Sequence, residues 1–97
     1  MPTYVAMLKW TPQGIQNIKQ SPSRLDAARK SFEAAGVKMT DFYMVTGRFD
    51  MIIVFDAPDE TALARTILTL SSQGNITTET CRAFTEDEYR EIIGGIA

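Results

Sequence analysis

Asp41-Phe42-Tyr43-Met44-Val45-Thr46-Gly47-Arg48-Phe49-Asp50-Met51-Ile52-Ile53-Val54-Phe55 is the stretch that decides the fold. Two apolar runs, Asp41–Val45 and Met51–Phe55, flank a five-residue connection, Thr46–Asp50. Apolar runs of this length, separated by a short glycine-containing turn, read as a β-hairpin. Gly47 supplies the positive φ that the turn requires.

Working outward, the segments on either side of the hairpin mirror one another. Residues 3–10 read as a strand with Tyr4, Ala6, Leu8 and Trp10 on one face and Val5, Met7 and Lys9 on the other. Thr11-Pro12-Gln13-Gly14 punctuates its end, and residues 15–20 read as one helical turn or a loop. Ser21-Pro22 then reads as an N-cap followed by proline at the first helical position. Leu25, Ala28, Phe32 and Ala35 recur at helical spacing, and Gly36 ends the helix. Strands follow at 37–46 and 50–56.

Ala57-Pro58-Asp59-Glu60 opens a second helix reaching about Ser72, with acids suited to its positive end. Leu63, Ile67 and Leu70 form its apolar stripe, with Ala64 and Leu68 alongside. Gly74-Asn75 turns the chain into a threonine-rich strand at 76–84. Thr85 and Glu88 form a capping box for a terminal helix that fades at Gly94-Gly95.

Strand, helix, strand, strand, helix, strand is the split β-α-β order of a ferredoxin-like α+β domain, here followed by a third helix. Two helices cover one face of a four-stranded antiparallel sheet. A one-sided sheet would carry polar residues in strict alternation. Here Val5 and Met7 oppose Tyr4, Ala6 and Leu8, and Ile52 and Val54 oppose Met51, Ile53 and Phe55. The second face is apolar as well, so the sequence predicts that two sheets pack together in a homodimer or higher oligomer.

Ninety-seven residues make a single domain, 1–97. A net charge of −2, with no basic run longer than Arg29-Lys30, gives no footprint for nucleic acid. The mean hydropathy is −0.11 and the longest of the apolar runs, Met51–Phe55, is far too short to span a bilayer. Lys9 interrupts the N-terminal apolar segment, which does not read as a signal peptide. A single cysteine, Cys81, builds no disulfide framework, and the expected compartment is the cytoplasm. There is no histidine, which removes the commonest general base and every His-ligated metal or haem site. No metal and no cofactor are expected.

The chain resembles the GYD-domain family over nearly its whole length. The resemblance rests on Tyr4-Val5, Lys9-Trp10-Thr11, Gly14-Ile15, Ser21-Pro22-Ser23-Arg24, Gly47-Arg48-Phe49-Asp50, Ala57-Pro58-Asp59, Gly74-Asn75, Thr78-Glu79-Thr80 and Arg82-Ala83-Phe84, in that order and spacing. It implies a dimeric α/β barrel and implies no chemistry. The family motif usually carries tyrosine where this chain has Phe49, so phenol chemistry is not available at that place, while ring packing is.

Asp50 is the sharpest candidate. It either caps the turn through backbone N–H groups or lies buried with Arg48 or Arg82 as its partner. Arg48 and Glu79 join it as candidate catalytic groups. Tyr4, Trp10, Tyr43, Phe49 and Arg82 are candidate ligand-binding residues, each balanced against plain packing. Glu79 is read as a base or a surface ion pair, and Cys81 as a small buried hydrophobe. Pro2, once exposed by loss of Met1, would offer a secondary amine as a base. Glu86, Asp87, Glu88 and Glu91 read as a solvated acidic face.

Three functions compete. The favoured one is a module that binds or senses a small molecule. The second is a cofactor-free monooxygenase, isomerase or lyase using Asp50 or Glu79 with an arginine. The third is a structural subunit of an oligomer.

Overall fold

In the computed structural model, which describes residues 1–97, the strands are β1 (Thr3–Trp10), β2 (Lys38–Met44), β3 (Met51–Asp56) and β4 (Ile76–Ala83). All pairings are antiparallel, in the order β2-β3-β1-β4. This is the ferredoxin-like arrangement expected from the element order, with the hairpin partners β2 and β3 at one side. Gly47 takes the left-handed conformation at the hairpin, with φ of 106°.

The helices are α1 (Pro12–Gln16), α2 (Ser21–Ala34), α3 (Glu60–Ser72) and α4 (Glu86–Gly94). A 3₁₀ turn at Ile18–Gln20 runs directly into α2. Ser21 is therefore helical rather than an N-cap. Its N–H donates to the Ile18 carbonyl, so the helical path begins before Ser21, and Gln20 takes the cap position without a side-chain bond. The C-terminus of α2 follows the expected pattern more closely. Gly36 adopts φ of 77°, and its N–H reaches Glu33 while that of Val37 reaches Phe32, which closes a Schellman motif. The same turn delivers Phe32 and Val37 together into the core.

The core lies between one sheet face and the helices. Tyr4, Ala6 and Leu8 of β1 meet Met51, Ile53 and Phe55 of β3, closed above by Phe32, Val37 and Ala57. Tyr4 stacks on Phe55, and Phe32 meets Phe55 edge-on. Fully burying a side chain such as Phe55 or Leu8 contributes about 1.5–3 kcal/mol each. In α3 the inward stripe is Leu63, Thr66, Ile67 and Leu70, whereas Leu68 is exposed. The expected stripe Leu63, Ile67 and Leu70 faces the core, but its flank is Ala62 and buried Thr66, while Ala64, like Leu68, is exposed.

The opposite sheet face is uncovered. Val5, Met7, Ile52 and Val54 form its half-buried centre, with exposed Tyr43 and Cys81 beside them on the edge strands. Cys81 was expected to be buried. It is exposed because β4 is an edge strand and this face carries no second layer within the chain. Beyond β4, every residue of α4 except Glu88 is exposed. Tyr89, Ile92 and Ile93 are among its exposed apolar side chains.

Candidate functional site

At the Trp10 end of the sheet, two chain corners are tied together. The Thr11 hydroxyl accepts from the Gly14 N–H, capping α1, and donates to the Gly74 carbonyl at 2.6 Å. The Thr11 N–H donates to the Asn75 carbonyl, and Gln13 Nε2 donates to Gln73 O and Asn75 Oδ1. A Cβ at position 14 would stand 2.1 Å from the Asn75 oxygen, so glycine is what permits this approach. From the other side, Asp50 Oδ2 accepts the Trp10 N–H at 3.0 Å, and the Asp50 N–H donates to Leu8 O at 2.8 Å. The backbone of Trp10 is held where β1 ends.

The Trp10 side chain lines a recess of about 60 Å³ between sheet and helices. Leu8, Phe42 and Met51 line it from the sheet, Arg24 and Leu25 from α2, and Leu70 from α3. Trp10, Leu25 and Phe42 are shared with a wider groove of about 420 Å³ that continues past Ile18, Pro22 and Met44. No carboxylate lines either space. Four buried side-chain polar atoms lack partners, and two of them, Trp10 Nε1 and Arg24 Nη2, belong to residues that line the recess; the others are the hydroxyls of Thr66 and Thr80. The Arg24 guanidinium is fixed through Nη1, which donates to Asn17 O at 2.9 Å, and it forms no ion pair. Buried donors without acceptors are uncommon in native folds, because each loses its water without a replacement. Ser21, Gln73 and Asn75 also line the recess, whose walls are mostly apolar, and Arg24 is its one charged residue, which makes it a place where an acceptor would bind.

The sequence-predicted residues are dispersed around this site. Trp10 lines it. Tyr4 sits at the opposite end of β1, buried in the core. Arg82 lies beside Tyr4, with its guanidinium 5.8 Å from that ring and 4.4 Å from Phe84. It also donates to the Thr3 and Ala83 carbonyls and pairs with Glu88 at 3.5 Å. Tyr43 points from the uncovered sheet face and is exposed. Phe49 is half-buried at the hairpin, between Lys9 at 5.8 Å and Arg48 at 5.6 Å. Glu79 stands on the uncovered face opposite Met7, exposed and without an ion pair. The Asp50 carboxylate meets a backbone N–H of the neighbouring strand and neither Arg48 nor Arg82.

Arg24, Leu25 and Phe42 were given no site role from sequence. Arg24 did carry a signal, since it lies on the same helical face as Leu25, Ala28 and Phe32. A cation on an apolar stripe marks a position where charge enters the interior.

Comparison with known proteins gives a consistent picture. The GYD-domain family model matches residues 4–93. The chain is 31% identical, over 84 residues, to the "Glutamine synthetase and cystathionine beta-lyase binding protein" of Thermus thermophilus, a match covering 86% of this chain and 88% of that protein. No solved structure matches. No helix is long and apolar enough to cross a membrane.

Proposed function

The chain belongs to the GYD-domain family, and on that footing we propose that it is a cytoplasmic, homodimeric module that binds a small molecule between its sheet and its helices. The observation that carries this reading is the recess at Trp10, where Arg24 and the indole keep two unused donors and most of the walls are apolar. Neither Asp50 nor Glu79 lines that recess, so binding is favoured over proton transfer. Native mass spectrometry of protein purified from its own cells tests this. A bound molecule released on denaturation is expected. Protein that is always ligand-free, and that no member of a metabolite panel stabilises against heat, would overturn the reading.

A second reading concerns protein partners. The Thermus relative is named for binding two enzymes, and this chain exposes Tyr89, Ile92 and Ile93 on α4. Exposed apolar side chains grouped on one short helix suit a docking surface. By this reading, the protein contacts glutamine synthetase or cystathionine β-lyase of its own organism. Surface plasmon resonance with each purified enzyme should give saturable binding, weakened about tenfold or more by Ile92→Asp. Absence of binding to both enzymes would remove this reading and leave the first intact.

A further inference from the structure

We infer that the Trp10–Arg24 recess takes a small organic monoanion, a carboxylate with an apolar body of roughly six to ten heavy atoms. This rests on the small-molecule reading above and specifies its ligand class. Arg24 brings one positive charge into the recess, and no acidic side chain lines the recess or the groove to neutralise it. A single uncompensated cation matches a single negative charge. Trp10 and Arg24 both line the recess, and each keeps a buried, unpartnered donor, so a carboxylate seated there supplies the acceptor that the guanidinium lacks. Carboxylate is favoured over phosphate, since a dianion would bring a second charge that nothing in the recess meets.

The groove fixes the rest of the ligand. Its walls past the recess are Ile18, Pro22 and Met44, Ser21 is the one polar residue of its lining besides the Trp10 indole, and its volume of about 420 Å³ far exceeds that of a carboxylate alone. Burying an apolar body there adds about 25 cal/mol for each Å² removed from water, so a bare anion would forgo most of the binding energy. The ring faces of Trp10 and Phe42 and the flexible side chain of Met44 accept a chain or a flat ring without polar demands.

Trp10 is the only tryptophan, so its fluorescence reports the site directly. Titration with octanoate should change its emission saturably. Octanamide, with the same body and no charge, should bind about tenfold more weakly or worse, and acetate, with the head and no body, weaker still. Arg24→Gln should cost octanoate about tenfold and leave octanamide unchanged, while Arg24→Lys, which keeps the charge, should fall between. Equal affinity for octanoate and octanamide, or no response to either, would overturn the assignment. If Arg24→Gln does not fold, the comparison of the two ligands on the unaltered protein decides. A neutral molecule found by native mass spectrometry, with octanoate failing, would sink the monoanion and preserve the small-molecule module.

Discussion

At the residue scale, Asp50 joins the hairpin to the site. Its carboxylate accepts the Trp10 N–H, a donor that lies beyond the last backbone pair of β1 with β3. Without Asp50 that part-buried N–H would lose its partner beside the recess. Asp50→Ala should therefore destabilise the fold by about 1–2 kcal/mol, whereas Asp50→Asn, which keeps a side-chain oxygen acceptor, should lose less than half of that. In thermal unfolding the difference is several degrees for a domain of this size. Equal losses for the two variants would show that the acceptor role is wrong. The choice between turn cap and buried ion pair, open in the sequence, resolves to neither form as stated. The bond is to a backbone N–H, but one 40 residues away on another strand. Such a bond depends on strand register, which periodicity within one strand does not encode. Tyr4 and Trp10, two plausible aromatic walls on one strand face, stand six residues apart at opposite ends of β1, and which neighbours each meets there depends on the same assembly of strands and helices.

At the element scale, the parts that depend on neighbours in sequence were the legible ones. The Thr85–Glu88 capping box spans three residues and is present as read: the Glu88 carboxylate accepts the Thr85 N–H at 2.9 Å, and the Glu88 N–H donates back to the threonine hydroxyl. The hydrogen bond from the Thr85 backbone, helped by the Arg82 guanidinium, holds the Glu88 carboxyl below the usual glutamate range. A lowered folded-state value means that the charged form favours the folded cap. The contribution is complete above the ordinary glutamate value, about 4.3, and fades as the pH falls through the lowered one. Protection of the α4 amides against hydrogen exchange, Tyr89 foremost, should drop below about pH 4 while the amides of β1 and β3 stay protected. Glu88→Gln should flatten that local pH dependence. Unchanged α4 protection from pH 7 to pH 3 would contradict the capping account. Elements whose position depends on packing were less legible. The 3₁₀ entry to α2 and the choice of Thr66 over Leu68 as the inward flank of α3 depend on how helices sit on the sheet, and leucine spacing alone places Leu68 too close to the core.

At the scale of the whole molecule, the single chain is thin and extended. Its shortest dimension is 18 Å, enough for one sheet and one helix layer. Its radius of gyration is 14.7 Å, against about 12.5 Å for a compact chain of this length. The apolar residues on both strand faces made the apolar character of the uncovered face legible from sequence. The recess was not, because Trp10, Arg24 and Phe42 meet only after β1, α2 and β2 have assembled. The uncovered face has Val54 at its centre, paired with Val5 on one side and Asp41 on the other. Four strands at about 4.8 Å spacing and 3.3 Å rise present roughly 400–500 Å² there, and two-fold pairing would place Val54 near its own copy. Val54→Lys puts a long, charged side chain into that contact, where its bulk and its desolvation, even opposite Asp41, oppose sheet-to-sheet packing, yet it leaves the helix-covered core untouched. Light scattering of the unaltered protein at micromolar concentration should return about twice the 10.8 kDa chain mass. Val54→Lys should return the single-chain mass with an unchanged circular dichroism spectrum. A monomeric unaltered protein would refute sheet-to-sheet pairing outright, and a Val54→Lys protein that stays dimeric would move the interface to another surface, α4 first among them.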